Sequence, residues 1–395
     1  MTDAAPIRAI ALLSAAAFVS GATLRVADPL LPQLAEEFGA TVADASVIAT
    51  GYTLAYGLSQ FVYGPMGDRF GKYSVVAVTT LLSALGTGAA AFAGDLWTLG
   101  LLRFLAACTA GAIIPLAMAH IGDIVPYDRR QAMLARFMSG QILGVMAGQA
   151  VGGIAGELVG WRGVFLGLGA LYLAVAALLA VELRSARRRG PPPTPPSLAT
   201  LASAYGGLAR SAHVRLVLGA VFVEGFLFYG SFTFLGAFLR LEEGLSYGKI
   251  GLLLGCFGLG ALAYTMIAAG LVRRLGQRGM VPAGGAALAL GLGGLALDLP
   301  MAVLPVAVAL CGLGFYMFHN TLQTLATQMA PATRGIAVSV FASFLFTGQA
   351  AGIATGGVIA TAGRYGALFA GAGLGLLLLG AFVRTKLARP AAAQG

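Results

Sequence analysis

Four charged residues lie inside long apolar stretches of the sequence: Arg25, Asp28, Arg103 and Glu224. A charged side chain in such a stretch is costly in lipid, so it marks a path for ions or substrates. Arg25 and Asp28 are three residues apart, so they share a helix face and can neutralise each other. A carboxylate between an arginine and an apolar cavity can gain or lose a proton as the cavity opens. We predict that Asp28 binds a proton; the alternative is an ion pair that only orders the outer end of its helix.

Glu224 has no charged neighbour in its stretch, which reads Val-Phe-Val-Glu-Gly-Phe-Leu-Phe-Tyr. It follows Arg215 by about nine residues, or roughly 14 Å of helix. An unpaired glutamate at that depth is protonated for much of the time, which suits a proton carrier or a site for a cationic substrate. We predict a proton-binding role for Glu224 as well. The alternative is a protonated acid that hydrogen-bonds to a neighbouring helix.

A polar cluster interrupts another apolar stretch at His319, Asn320 and Gln323. His319 and Gln323 are four residues apart, so they share a helix face. These side chains either line a pore or hydrogen-bond between helices, and Arg103 either reaches the outer membrane surface or faces a cavity. We predict that one substrate cavity contains the following residues: Arg25, Arg103, Tyr229, His319, Asn320 and Gln323.

The composition indicates a membrane protein. Of 395 residues, 58% are hydrophobic and 10% are charged, whereas soluble proteins carry roughly a quarter charged residues. The net charge of +10 does not indicate nucleic-acid binding, because no basic stripe alternates with aromatic residues. We recognise no catalytic, nucleotide-binding or metal-binding motif, so we expect no cofactor, no metal and no enzymatic activity. The sequence predicts an all-α fold of twelve membrane segments, numbered in order: 8–34, 46–66, 74–93, 97–121, 131–157, 162–184, 213–240, 246–271, 279–297, 301–328, 335–361 and 365–386.

Residues 185–212 separate two halves, 1–184 and 213–395. This stretch is rich in arginine and proline, and such a run cannot form a membrane helix. We therefore predict a cytoplasmic linker between two pseudo-symmetric six-helix bundles. Six residues of the first half recur about 204 positions later: Gly144, Gly148, Gly152, Gly153, Trp161 and Phe165 correspond to Gly348, Gly352, Gly356, Gly357, Tyr365 and Phe369.

The loop between segments 2 and 3 reads Gly-Pro-Met-Gly-Asp-Arg-Phe-Gly-Lys-Tyr over residues 64–73. It resembles the signature loop of the major facilitator superfamily, a family of twelve-helix transporters, and the resemblance extends over essentially the whole chain. It implies that Asp68 caps the N-terminus of segment 11 and that Gly64 permits a close approach. Arg69, Gly71 and Lys72 complete the predicted gate. An ordinary charged loop is the alternative.

Segment 5 carries Gly144, Gly148, Gly152 and Gly153, which resemble a glycine-rich motif of antiporters in this family. Glycines four residues apart line one helix face and allow a close crossing. Gln149 stands where the motif usually has proline. We assign these five residues to gating, with simple glycine packing as the alternative.

The Asp-Pro pair at Asp28 resembles the first helix of the drug–proton antiporters within the family. We therefore predict a proton-coupled antiporter that exports amphipathic or drug-like compounds by alternating access. The alternatives are proton symport of a sugar or organic acid, export of one metabolite or lipid, and a membrane sensor. The expected partners are a small-molecule substrate, protons and the bilayer, with no nucleic acid. The resemblance implies a monomer.

The distribution of basic residues indicates the orientation. With the N-terminus in the cytoplasm, about 19 of the 25 Lys and Arg residues fall in cytoplasmic loops or tails, as the positive-inside rule expects. We predict a multi-pass protein of the cell membrane, the inner membrane of a bacterium, with both termini in the cytoplasm.

Overall fold

The computed structural model describes residues 4–186, 211–297, 299–329 and 334–387. Within these ranges the chain is helical, with two short 3-10 turns and no strand. The predicted linker lies almost wholly outside the described residues, so the domain boundary remains a prediction. The α-helices are Ala4–Arg25, Leu31–Glu37, Val42–Ala45, Val47–Phe70, Lys72–Ala90, Leu96–Ala110, Ile113–Ile124, Tyr127–Ala186, Ala212–Phe232, Leu235–Leu241, Tyr247–Ala296, Leu304–Gln328, Arg334–Thr361 and Tyr365–Lys386.

The described residues contain nine helical stretches that are long and apolar enough to cross a membrane. Two of them each contain one glycine with non-helical backbone angles, Gly160 and Gly276. Both have positive φ, which glycine adopts without strain, so each marks a bend between two consecutive segments. Division at these glycines, together with the 24-residue helix Val47–Phe70, is consistent with the twelve predicted segments.

Three of the predicted segments are broken rather than continuous. Segment 1 leaves α-helical geometry after Arg25 and passes through the 3-10 turn Asp28–Leu30, because Pro29 has no amide hydrogen to donate to the helix. Segment 7 is interrupted after Phe232, and segment 4 after Ala110. Broken helices are tolerated in membranes where they are enclosed by protein, and the first two breaks place polar groups at the centre of the bundle.

Glycines set the packing within each half, and they do so at equivalent positions. A Cβ atom added to Gly144 would lie 2.1 Å from the Phe18 carbonyl oxygen, and one added to Gly348 would lie 2.1 Å from that of Phe222. Segments 1 and 5 therefore cross in the same way as segments 7 and 11, with backbone against backbone. Gly348 follows Gly144 by 204 positions, and Phe222 follows Phe18 by the same number. The sequence repeat is therefore also a repeated contact.

The two halves meet through the same repeat on the side of the bundle opposite the loop at 64–73, which we call the far side. A Cβ atom on Gly153 would lie 2.4 Å from the Tyr247 carbonyl oxygen, and one on Gly357 would lie 3.2 Å from Ala43 Cα. These two contacts join segment 5 to segment 8 and segment 11 to the short helix Val42–Ala45, which precedes segment 2. The far side is therefore closed by close glycine contacts, and at Gly153 even a Cβ atom would overlap the backbone of the other half.

The side that carries the loop at 64–73 and both ends of the described chain is the terminal side. A Cβ atom added to Gly64 would meet no atom within 4 Å. Gly64 therefore makes no close approach to the described residues. Its predicted approach to the start of segment 11 falls next to residues 330–333, which lie outside the described residues, so it remains a prediction. The contrast with Gly153 indicates a bundle closed on its far side.

We predict that Gly153→Val opens the far side. The added atoms overlap the Tyr247 backbone, and such overpacking costs about 1–3 kcal/mol, which shifts a two-state equilibrium by about five- to one-hundred-and-fifty-fold. The measurement is the distance between spin labels at Gly94 and Leu297, after the three native cysteines are replaced. Gly167→Val is the control, because a Cβ at Gly167 meets open space. An unchanged distance distribution in Gly153→Val would contradict this role.

Candidate functional site

A cavity of about 150 Å³ lies between the two halves. Of the predicted site residues, Arg25, Tyr229, His319, Asn320 and Gln323 line it. The remaining lining residues are mostly aromatic, aliphatic or amide side chains from both halves, and they include Tyr56, Gln60, Gln141, Tyr316, Phe341 and Gln349.

Arg25 contacts side chains of both halves inside the bundle. Its Nη2 atom donates a hydrogen bond of 2.5 Å to Gln349 Oε1 on segment 11, and its guanidinium carbon lies 3.5 Å from the centroid of the Tyr229 ring on segment 7. Its Nη1 atom is 3.9 Å from Asp28 Oδ2. The side chain of Arg25 is 2% exposed, so this one cation connects segments 1, 7 and 11 out of contact with bulk water.

Arg25 and Tyr229 occupy equivalent positions in the two halves, since their numbers also differ by 204. Their contact is therefore a cation–π interaction between the two halves, across the pseudo-symmetry axis. The repeat places an arginine and a tyrosine at the same depth and on facing helices. This contact is possible because the two halves differ at these equivalent positions. Two arginines there would repel each other.

Asp28 is buried behind Arg25 and does not belong to the cavity lining. Its carboxyl group lies close to the Gln149 side chain and is acted on by the charge of Arg103, but within the described residues neither oxygen has a hydrogen bond of good geometry. The ion pair with Arg25 at 3.9 Å is longer than a charge-assisted hydrogen bond. Asp28 is thus an incompletely paired carboxyl group enclosed by protein.

Arg103 does not face the cavity, and it does not reach the membrane surface. Its side chain is fully buried and lies over the Tyr52 ring at 4.0 Å from the centroid, while Nη2 donates to the Thr23 carbonyl oxygen at 3.1 Å. Both predicted alternatives are therefore wrong in this conformation. The aromatic ring faces of Tyr52 and Phe165 and the Thr23 carbonyl oxygen take the place of water around the guanidinium, and the charge of Asp28 acts on it as well.

Glu224 is fully buried, as its sequence position suggests, but it is not unpaired. Its Oε2 atom lies 3.0 Å from His319 Nδ1 on segment 10, while Oε1 has no hydrogen-bond partner. His319 lines the cavity and Glu224 does not. The predicted isolation of Glu224 is therefore wrong, because its partner is 95 residues away in sequence.

Aromatic rings fix the orientation of the His319 imidazole. Its ring stacks on the Phe315 ring, with centroids 5.2 Å apart and an interplanar angle of 4°. The Phe341 ring on segment 11 also contacts it, with centroids 5.4 Å apart. Asn320 interacts with the Tyr264 hydroxyl. The polar cluster therefore does both things that the sequence left open: it lines the cavity, and two of its members bond to neighbouring helices.

The predicted gate residues form a local ion cluster. Lys72 Nζ lies 2.6 Å from Asp123 Oδ2 and 3.9 Å from Asp68 Oδ1, Arg69 lies over the Phe70 ring, and the helix break at Gly71 has a φ of 84°. The predicted contact of Asp68 with the start of segment 11 falls next to residues 330–333, which lie outside the described residues. That contact remains a prediction.

Sequence reasoning missed the amide residues that complete the cavity: Gln60, Gln141 and Gln349. Each is an isolated amide within an apolar segment, and this pattern was the available signal. Gln349 is the most consequential of them, because it accepts the hydrogen bond of Arg25 from the opposite half.

Comparisons with known proteins agree with the fold. Residues 13–334 match the sequence model of the Major Facilitator Superfamily. The chain is 32% identical over 378 residues to a probable transporter of Streptomyces coelicolor, covering 90% of this chain and 84% of the relative. It is 27% identical over 203 residues to a 4-hydroxybenzoate transporter of Pseudomonas aeruginosa, covering 50% and 45%.

The fold also resembles a solved structure. A bacterial homolog of the human lysosomal transporter Spinster, in an inward-facing and unoccupied conformation, superposes with a TM-score of 0.70 at 16% identity. The likeness covers 97% of this chain and 95% of the other. Both chains therefore share the fold from the first segment to the last.

We predict that Gln349→Leu lowers the thermal stability of the purified protein. The change removes the acceptor of a buried charged donor, which costs about 1–3 kcal/mol, and Arg25 has no spare acceptor on segment 11 at that position. The measurement is the midpoint of thermal unfolding in detergent. Gln349→Glu is the control, because it keeps an acceptor for Arg25. Equal midpoints for Gln349→Leu and the unmodified protein would contradict a structural role for this bond.

Proposed function

Because this chain belongs to the major facilitator superfamily, we propose that it is a proton-coupled secondary active transporter of a small organic compound. The chain is a multi-pass membrane protein, and its relatives are transporters of varied substrates. Its central cavity between two halves is the arrangement that alternating access requires. We propose that it works as a monomer in the cell membrane with both termini in the cytoplasm.

One observation carries the proposal of proton coupling: each half buries a carboxyl group directly behind a basic side chain that lines the cavity. Asp28 lies behind Arg25, and Glu224 lies behind His319. A buried carboxyl group is stable either as an ion with a partner or as a neutral acid. Whatever occupies the cavity competes for that partner, so occupancy and protonation depend on each other.

His319 supports a route for the proton. Its imidazole contacts both the cavity and Glu224, and an imidazole has two ring nitrogens, of which one can accept a proton while the other donates one. A proton from cavity water can pass to the imidazole and then to Glu224 Oε2 at 3.0 Å. Proton exchange therefore needs no direct access of water to the carboxyl group.

The closed far side supports alternating access. With cytoplasmic termini, the cavity in this conformation is the inward-facing one, and the glycine contacts at Gly153 and Gly357 are the surfaces that separate when the carrier opens outward. We propose that the loop at 64–73 closes the terminal side in that other state. Gly64 then makes its predicted close approach to the start of segment 11.

Two directions of coupling follow from different observations. Antiport, with export of amphipathic compounds, is supported by the Asp28-Pro29 pair and by the glycines of segment 5. Symport is supported by the cavity itself, which presents Arg25 and His319 but neither acid. The relative described as a 4-hydroxybenzoate transporter supports a small organic acid as the cargo of a symporter.

We predict that Glu224→Gln uncouples transport from protons. Glutamine keeps the size and hydrogen-bonding ability of the side chain but cannot exchange a proton. In liposomes with an internal pH dye, the variant should lose substrate-driven proton flux while it still exchanges labelled substrate across the membrane. Asp28→Asn is the parallel variant for the other half.

The results of these flux measurements distinguish Glu224 from Asp28 as the proton-binding group, and antiport from symport. Undiminished proton flux in Glu224→Gln would move the role to Asp28, and undiminished flux in both variants would contradict proton coupling through these groups. In the unmodified protein, proton flow opposite to the substrate identifies antiport. Flow in the same direction identifies symport.

We predict that Asp68→Asn slows turnover without weakening substrate binding. The neutral side chain loses its attraction to a helix N-terminus, which is worth about 0.3–1 kcal/mol at an exposed site, so the closed terminal side is less populated. Transport rate and binding affinity are measured in parallel. Asp95→Asn serves as the control, because it removes the same charge from the cap of a helix on the far side, away from the loop at 64–73. A normal transport rate in Asp68→Asn would show that the gate assignment is wrong.

A further inference from the structure

The buried charges around the cavity do not balance in the first half. Arg25 and Arg103 are both buried, and Asp28 is the acid that interacts with them. This group of three carries one surplus positive charge. In the second half, Glu224 is paired with His319, so that pair is neutral when it holds one proton. With that one proton in place, the five groups together carry one positive charge, which a bound anion would neutralise.

The surplus charge faces the cavity. Arg25 and His319 are lining residues, while none of the described lining residues is acidic. A cationic compound in this cavity would have no carboxylate within direct reach and would be repelled by Arg25. An anionic group would meet a guanidinium with donors in a planar fork, the geometry that carboxylates and sulfonates match.

Arg25 can accept such a partner without leaving Asp28 uncompensated. Its ion pair with Asp28 is loose at 3.9 Å, and Arg103 supplies a second positive charge that acts on the same carboxyl group. Two donor atoms of Arg103, Nε and Nη1, have no hydrogen-bond partner. Arg103 thus keeps part of the charge compensation of Asp28 when Arg25 turns to the cavity.

The rest of the lining suits an apolar ring. Phe315, Tyr316 and Phe341 lie beside His319 in the same cavity. A volume of about 150 Å³ equals that of an engineered apolar cavity in another protein that binds benzene. The amide groups of Gln60, Gln141 and Gln323 offer further hydrogen bonds at its edge.

We propose that the substrate is a small organic anion with an apolar, ring-sized body, and that its acidic group binds between Arg25 and His319. This inference rests on the proposed transport function and defines its substrate class. It also fixes the direction of coupling. An anion that draws on Arg25 and His319 weakens the compensation of Asp28 and Glu224, so each carboxyl group then favours its protonated form. Anion and proton therefore bind together, and the carrier is a symporter.

Three probes of one shape test the charge preference: benzenesulfonate, benzenesulfonamide and phenyltrimethylammonium. Their binding to the full-length protein is measured by calorimetry in detergent at neutral pH. We expect benzenesulfonate to bind about ten- to one-hundred-fold more tightly than the neutral amide, the range for a hydrogen bond to a charged group, and the cation to bind least. Equal affinities, a preference for the cation, or no binding of benzenesulfonate would overturn the proposal.

Variants of the cavity residues test whether the preference for the anion arises at Arg25 and His319. Arg25→Gln should remove the advantage of benzenesulfonate over the amide, whereas Arg273→Gln should keep it, because Arg273 is exposed outside the cavity. Since Arg25→Gln disturbs the contact between the halves, His319→Gln provides a second variant, which should reduce the same advantage. A full advantage retained in both cavity variants would overturn the site.

A flux measurement separates this inference from the proposed function. An inward gradient of benzenesulfonate across protein-containing liposomes should draw protons inward with it. Preferential anion binding without proton movement would leave the anion site in place and contradict proton coupling and the symport direction inferred here. Proton movement driven by phenyltrimethylammonium instead would keep proton coupling and overturn the anionic substrate.

Discussion

The buried guanidinium of Arg25 is the interaction on which the site depends. A cation that is 2% exposed is stable only when its charge and its donors have partners, and here the partners come from segments 1, 7 and 11. Those segments can approach closely because glycines at Gly144, Gly348 and their equivalents let helix backbones touch. The glycine repeat thus creates the geometry, and the arginine fixes the positions of both halves around the cavity.

The need of a buried charge for partners also explains why neither Asp28 nor Glu224 lines the cavity. In lipid, an exposed carboxylate would need water or a cation, and the structure gives each one a basic neighbour on its cavity side. Arg25 and His319 therefore have two roles. They compensate the buried acids, and they form part of the cavity surface that a substrate would contact. In the proposed mechanism, coupling between protons and substrate follows from this sharing, without any contact between the substrate and either carboxyl group. We propose that the basic residue in front of each acid determines which charge the cavity accepts.

Much of the fold could be predicted from the sequence, because membrane segments are long, local and apolar, and because the glycine and aromatic repeat at a spacing of 204 reappears as the same contacts in both halves. The sequence also identified the two buried acids, since an ionisable residue in an apolar segment stands out. Their partners could not be predicted in this way. Gln349 is 324 residues from Arg25, and His319 is 95 residues from Glu224, so both pairings depend on how helices face each other. The position of Arg103 was missed for the same reason, because segment hydropathy gives depth but not direction.

The central claim is that an anion in the cavity and a proton on the buried carboxyl groups bind together. Calorimetry of benzenesulfonate binding in buffers with different ionisation enthalpies measures the protons taken up or released on binding. The account predicts net proton uptake that shrinks in Glu224→Gln or Asp28→Asn, together with tighter binding at lower pH. Proton release on binding, or affinity that does not change with pH, would contradict it.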